Sequence, residues 1–294
     1  MTIRLMHLLH DYCHLSTNSW LPQLNYSATI QSNCAMIAFM LKTNDYTRRW
    51  RLAITAACSC LLAASATAGP PVDYVAEYGV YRNNKRIARS TIKLETTGDN
   101  HYKYSRHSKG VKGLARLLNF SETEVAEFEL TDGVYRPHSY QSGMRSTGRK
   151  RNWQASFDWE HNRISGTKDG EVFDIESEAG LHDPATLQLT LRVALNRHQE
   201  PLEFRMLDGN LIEDRKFVSE PDDGHKTSIG CTDTVKVDRV RANSNRYTTA
   251  WHATTADYIM VRLDHGKRGD DKNSMRLERL TIAGETVTFD GECV

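Results

Sequence analysis

Trp153-Gln154-Ala155-Ser156-Phe157-Asp158-Trp159 alternates apolar and polar side chains without a break. Successive side chains of an extended chain point to opposite faces, so Trp153, Ala155, Phe157 and Trp159 share one face while Gln154, Ser156 and Asp158 meet water. The same period recurs on both sides of this stretch. Tyr74, Ala76, Tyr78 and Val80 share a face, as do Ala126, Phe128 and Leu130, then Tyr247, Thr249 and Trp251, and Ile259, Val261 and Leu263. Between the runs stand Asn83-Asn84, Asp132-Gly133, Asp169-Gly170, Asp208-Gly209 and Ala283-Gly284, pairs that tolerate positive φ and so close tight hairpins. Hairpins in sequence order make an antiparallel meander. The expected fold class is mainly β, an antiparallel curved sheet or half-barrel with one helix.

That helix is expected near 184–197. Asp183 can accept from the free N–H groups of a first helical turn, and Pro184 loses nothing at its first position. Leu187, Leu189, Leu191, Val193 and Leu195 also alternate as a strand would, so period alone does not decide. Length and the Asp-Pro start favour a helix, with Leu187, Leu191, Ala194 and Leu195 facing inward. A second helical turn is expected at Gly113 to Leu118. Glu220-Pro221-Asp222-Asp223-Gly224 reads as a surface loop before the last strands.

Upstream, Arg48, Arg49 and Arg51 precede an apolar run of 13 residues, Leu52 to Ala64, and then Ala66-Thr67-Ala68. This order of basic, apolar and small residues is that of a secretory signal, and the run is too short to span a bilayer. Cleavage after Ala68 and a periplasmic mature protein without a transmembrane segment are the expectations. A start at Met40 would give the signal an ordinary length over 40–68, making residues 1–39 an over-called start or a disordered extension. Arg48-Arg49 also suggests a twin-arginine signal, but Arg51 stands where that signal carries an apolar residue, so the general secretory route is favoured.

Loss of residues 1–68 removes five basic and two acidic side chains, leaving 33 against 35 and a net charge of −2. So balanced a chain has no global field for nucleic acid or an anionic surface, and partners must be sought at local sites. The 226 residues that remain are enough for one core, a single domain over 69–294. Four of the six cysteines leave with the signal, and Cys231 and Cys293 stay as an even pair in an oxidising compartment, which reads as one structural disulfide. A metal pair or a redox thiol would call for a C-x-x-C or a second thiol pair, and the mature chain has neither.

The short signatures of catalysis are missing: no G-x-S-x-G, no G-x-x-x-x-G-K, no H-E-x-x-H and no acidic calcium loop. Nine histidines remain, without an i, i+4 or H-x-H pair, and His101 and His107 are about 20 Å apart along an extended strand. They read as surface or hydrogen-bonded histidines, so no catalytic residue, metal ligand or cofactor is assigned. An envelope hydrolase assembled from distant residues, with His182 or His252 beside a carboxylate, is the alternative, as is a protein that pairs through a strand edge.

Two local sites carry cations. Arg145, Arg149, Lys150 and Arg151 flank the turn Ser146-Thr147-Gly148, and Lys109, Lys112 and Arg116 surround Gly113-Leu114-Ala115-Arg116-Leu117-Leu118. Either could hold an anionic headgroup through charge-assisted hydrogen bonds, or keep a sheet edge solvated. The apolar segment could cover the open end of a curved sheet, where small ligands bind, or plug the core. Leu114, Arg116, Leu117, Arg149 and Arg151 are thus the candidate ligand-binding residues, for a lipid or other amphipathic envelope molecule.

Five stretches follow one another in a telling order. They are Tyr74-Val75-Ala76-Glu77-Tyr78; Asp132-Gly133-Val134-Tyr135-Arg136-Pro137 with Tyr140; Asp183-Pro184; Gly230-Cys231-Thr232-Asp233-Thr234-Val235-Lys236-Val237; and Arg246 to Trp251 leading to Tyr258-Ile259-Met260-Val261-Arg262. Their order and spacing, over most of 73–281, resemble a family of exported bacterial proteins catalogued as domain of unknown function 3108. That family often carries proline where Met260 stands. The resemblance implies a periplasmic, largely antiparallel β domain, similar to the half-barrel periplasmic carriers of lipoproteins, and it assigns no activity. Together with the residues, it makes a non-enzymatic carrier of an apolar or amphipathic molecule the expected function.

Overall fold

The computed structural model describes residues 70–269 and 272–294. The signal segment at 40–68 and residues 1–39 lie outside the described residues. Tyr74–Arg82 (β1), Lys85–Gly98 (β2), His101–Gly110 (β3), Ser121–Thr131 (β4), Val134–Ser146 (β5), Arg149–Asp158 (β6), Arg163–Lys168 (β7) and Glu171–Glu176 (β8) form a meander, each antiparallel to the next. A second meander holds Leu202–Asp208 (β10), Leu211–Thr227 (β11), Gly230–Val240 (β12), Arg246–Ala253 (β13), Ile259–Lys267 (β14) and Asn273–Ile282 (β15). The short strand Leu181–His182 (β9) runs parallel to β10 at its edge. Strand β15 pairs with β1, Leu280 opposite Ala76, and this fuses the meanders into one sheet. Among the described residues β8 pairs only with β7 and β9 only with β10, so the sheet is open.

The turn pairs act as their chemistry requires. Asn83 and Asn84, Asp132 and Gly133, Asp169 and Gly170, and Ala283 and Gly284 all have positive φ, the condition for two-residue hairpins that follow strand twist. At the fourth expected turn the hairpin is one residue later, Gly209-Asn210, with Gly209 at φ +70°.

Among the described residues the helices are Gly113–Leu117 (α1) and Pro184–Asn196 (α2), close to their expected bounds. Asp183 Oδ1 accepts from the Ala185 and Thr186 N–H groups at 2.7 and 3.0 Å, and Thr186 Oγ1 accepts from the Asp183 N–H, a reciprocal cap. Leu187, Leu191, Ala194 and Leu195 are all buried, as their spacing indicates. Helix α2 packs on β4 and β5 towards one edge of the strand order and on β10 near the other. One helix roughly 10 Å wide can touch both only if the sheet curls around it. Tyr78, Tyr104, Phe128, Leu277 and Leu280, all below 3% exposure, fill the concave side.

One local reading is corrected. The polar run 220–224 is no loop, because β11 continues through it and pairs with β12 as far as Thr227. A bulge between Asp222 and His225, with Gly224 at φ +63°, absorbs the extra residues inside the strand. On β13 the set Tyr247, Thr249 and Trp251 shares one face, as its alternation indicates. Trp251 lies under Arg262, 4.7 Å from its guanidinium, and against His225.

Candidate functional site: an arginine-lined apolar pocket

Beside α2 the concave face holds an apolar pocket of about 280 Å³. Leu187 and Leu191 of α2 face Phe217, Val237, Met260 and Met275 of the sheet across it. Four arginines, Arg106, Arg215, Arg239 and Arg241, enter the same space. Two of them are answered by carboxylates. Arg106 Nε lies 2.8 Å from Glu124 Oε2, and Arg215, only 4% exposed, pairs with Asp208 at 2.7 Å and with Glu213.

The other two are not. Arg241 donates to Thr248 Oγ1 at 3.0 Å and leaves a buried NH1 with no acceptor. No hydrogen bond or ion pair holds Arg239 among the described residues. Burial first, then the neighbouring Arg215 and Arg241, pull the Arg239 guanidinium down to about 10, with the Glu213 and Asp208 charges opposing them. His252 opens into the pocket as well, its Nδ1 donating to Tyr258 O at 2.9 Å and its Nε2 left unpartnered. A cavity with greasy walls and two unneutralised cations can bind an anion that carries a hydrocarbon body.

None of Leu114, Arg116, Leu117, Arg149 and Arg151 lines this pocket. The two segments that carry them do touch: the Thr147 N–H at the β5–β6 hairpin donates to Leu118 O at 2.8 Å, at the end of α1. All five are exposed, and Leu114 and Leu117 at 65% and 75% plug nothing. The pocket arginines did leave a signal in the sequence. Arg239 and Arg241 keep step with buried Val237, and Arg215 with Phe217, so cations recur in phase with an apolar face.

Neither His182 nor His252 has a carboxylate bonded to its ring among the described residues. The fold does pair His225 Nδ1 with Asp222 Oδ2 at 2.9 Å, but the nearby hydroxyl, Thr234 Oγ1, donates to Asp222 and not to the imidazole. That is not a nucleophile–base contact.

Buried titratable groups around α2 make stability depend on pH. Burial lowers the His182 imidazole to about 4. His252 falls to about 4 as well, through burial first, with its bond to Tyr258 opposing and Arg192 assisting. Burial raises Asp183 to about 7 in spite of its bonds from Thr186 and Ala185. Between pH 6.5 and 4 the unfolded chain gains two imidazole protons that the folded chain refuses, so acid destabilises. Over the same window folded Asp183 holds a proton that the unfolded chain has released, which opposes one of the two. The net of one proton, ~1.4 kcal/mol per pH unit, predicts a loss of roughly 3 kcal/mol from pH 6.5 to 4. Urea unfolding at both pH values checks it. The double substitution His182→Gln with His252→Gln should abolish the acid loss, and an unchanged slope there would refute this assignment.

No helix of the described residues is long and apolar enough to cross a membrane. No curated protein matches the chain. Among solved structures, a crystal structure of a β-barrel-like protein of domain of unknown function DUF1849 from Brucella abortus superposes with a TM-score of 0.48 at 8% identity, covering 72% of this chain and 98% of that one. The family model described as a protein of unknown function, DUF3108, matches residues 73–268, which take in the first meander, the helix α2, the second meander as far as β14 and every arginine of the pocket, and the chain belongs to that family.

Proposed function

We propose that the protein is a non-enzymatic periplasmic carrier of a single-chain amphipathic anion. Its carboxylate or phosphate sits on Arg239 and Arg241, and its hydrocarbon chain lies against Leu187, Leu191, Phe217 and Met260. The observation that supports this reading is the pair of arginines left without carboxylates inside an apolar cavity. Both guanidinium groups are half-buried, and a cation with part of its hydration removed gains when an anion answers it, as a bound headgroup would. The volume, about 280 Å³, falls just below the ~300–1,000 Å³ of small-molecule pockets and suits one chain better than a two-chain lipid.

The exposed tip has a place in this scheme. Arg241 bonds Thr248, and the register runs on from Thr248 to His265, Asn273 and Arg82, then from Arg82 to Lys85. Ala88, near the start of β2, faces Gly110 beside α1, so α1 stands at the end of the sheet where Arg241 lies. Leu114 and Leu117 with Arg116 would touch an anionic membrane there while the chain enters or leaves.

Calorimetric titration with dodecanoate and with a single-chain lysophosphatidate tests the reading. Micromolar binding is expected, and Arg239→Ala with Arg241→Ala should weaken it about 100-fold, since two charge-assisted bonds of ~1.5 kcal/mol each are lost. Leu114→Ser with Leu117→Ser should leave that affinity alone and slow transfer from anionic vesicles. Failure of both ligands to bind, or binding indifferent to the two arginines, would sink the proposal.

A further inference from the structure

At the opposite end of the sheet, three neighbouring strands bring His101 (β3), Glu129 (β4) and His138 (β5) together on the outer face. One ligand atom of each lies within 4.8 Å of the others. His101 stands directly across from Glu129 in the β3–β4 register. His138 arrives by a different device. Between β4 and β5 the register jumps at Glu127/Phe128, so that Ser139 faces Glu127 and Pro137 faces Phe128, and His138 is the extra residue of a bulge. Bulges of this kind re-aim a side chain.

We propose that His101, Glu129 and His138 bind one divalent transition-metal ion, zinc being the best fit, at a site separate from the ligand pocket. The donor set of two imidazoles and a carboxylate is that of zinc sites that keep a free position. His101 Nδ1 donates to Asp99 O at 2.7 Å, which leaves the lone pair on Nε2 for a metal. Glu129 divides its oxygens: Oε1 receives Arg136 at 3.5 Å, and Oε2 lies 3.3 Å from His138 Nε2, an atom with no hydrogen-bond partner. Metal–ligand bonds of ~2.0–2.1 Å in a tetrahedron put ligand atoms about 3.3–3.4 Å apart, so the Glu129–His138 edge already has its length. The two rings are nearly parallel, at 13° and 5.9 Å, so one must turn about its soft terminal torsion for the lone pairs to converge. His101 is exposed and His138 half-exposed, and both have room to do so.

The site borders a cleft. Glu129 and His138 line an opening of about 810 Å³ shared with Arg136, Asp158 and Trp159. A metal held there would keep a coordination position open to water or an anionic ligand entering the cleft.

The test is titration of untagged protein with Zn²⁺, followed by calorimetry, and with Co²⁺, followed by its visible spectrum. One equivalent bound at micromolar concentration is expected, with a Co²⁺ spectrum of low coordination number. His101→Ala, His138→Ala and Glu129→Gln should each weaken binding at least 10-fold, while His161→Ala, on a histidine paired only with Asp158, should not. In the unsubstituted protein the ring protons of His101 and His138 should shift on adding Zn²⁺, and those of buried His182 and His252 should not. That measurement needs no variant to fold. Absence of stoichiometric binding, or binding that survives His138→Ala, or unmoved His101 and His138 resonances would overturn the proposal.

Discussion

Replacing Cys293 by serine is expected to lower the stability of the oxidised protein by ~4 kcal/mol, the loop-closure entropy of a crosslink between residues 62 apart. The structure brings Cys231 and Cys293 to a Cα separation of 5.3 Å, in the range a disulfide requires. What the bond would hold is the carboxyl terminus. Phe289–Asp290 (β16) lies parallel to the start of β12, with the Phe289 N–H bonded to Ile229 O at 2.8 Å and the Gly291 N–H to Cys231 O at 2.9 Å. Phe289 is buried against the core, and the approach beneath it is so close that a Cβ on Gly230 would lie 1.8 Å from Phe289 O. So short a strand has too few hydrogen bonds to stay docked alone. Urea unfolding of the Cys293→Ser protein, beside a thiol count on the parent, measures the effect. A difference below ~1 kcal/mol, with the parent free of thiols, would mean that packing of Phe289 already secures the terminus.

The sequence carried the strands because half-burial imposes its own period. Ala155 and Phe157, from the stretch that alternates without a break, are both buried, and Asp183 caps the helix at the residue its chemistry marks. What sequence pattern misses is anything set by pairing at long range. The union of β1 with β15 joins residues some 200 positions apart, and that pairing, not any local signal, turns two meanders into one curled sheet. Bulges hide further facts. One residue of slip exchanges the two faces of a strand, so the bulges at His138 and between Trp251 and His252 move side chains where a fixed period would not place them. The cluster of His101, Glu129 and His138 is invisible for that reason, since its members come from three strands. The pocket was half-legible. Arginines in phase with Val237 and Phe217 mark it in the sequence, but which of them meet carboxylates is decided by strand pairing, which no local pattern carries.

Arg106→Met should cost roughly 3–5 kcal/mol, the penalty for leaving a buried carboxylate without its counter-charge. Glu124 is 2% exposed and accepts from Tyr140 Oη at 2.7 Å, with Arg106 Nε at 2.8 Å. Burial and the Glu124 charge both push the Tyr140 hydroxyl up, so it stays a proton donor and cannot replace a cation. Burial alone would lower Arg106, but Glu124 and Glu122 outweigh it and hold the guanidinium charged. The pair therefore stands or falls together, and Arg106→Met with Glu124→Leu should recover most of the loss, because two apolar groups leave no charge unpaired. Chemical unfolding of the two singles and the double gives the coupling directly; equal losses in Arg106→Met and the double would show that packing, not charge, is at stake. The same pair bears on the pocket, since Arg106 lines it while neutralised by Glu124. Because Arg106 also donates to Glu122 at 3.3 Å, Glu124→Gln combined with Glu122→Gln should free that guanidinium, so a less stable protein is expected to bind dodecanoate more tightly. A structural role alone would weaken binding along with stability, and the opposite signs separate a pocket built for an anion from a cavity that merely happens to contain arginines.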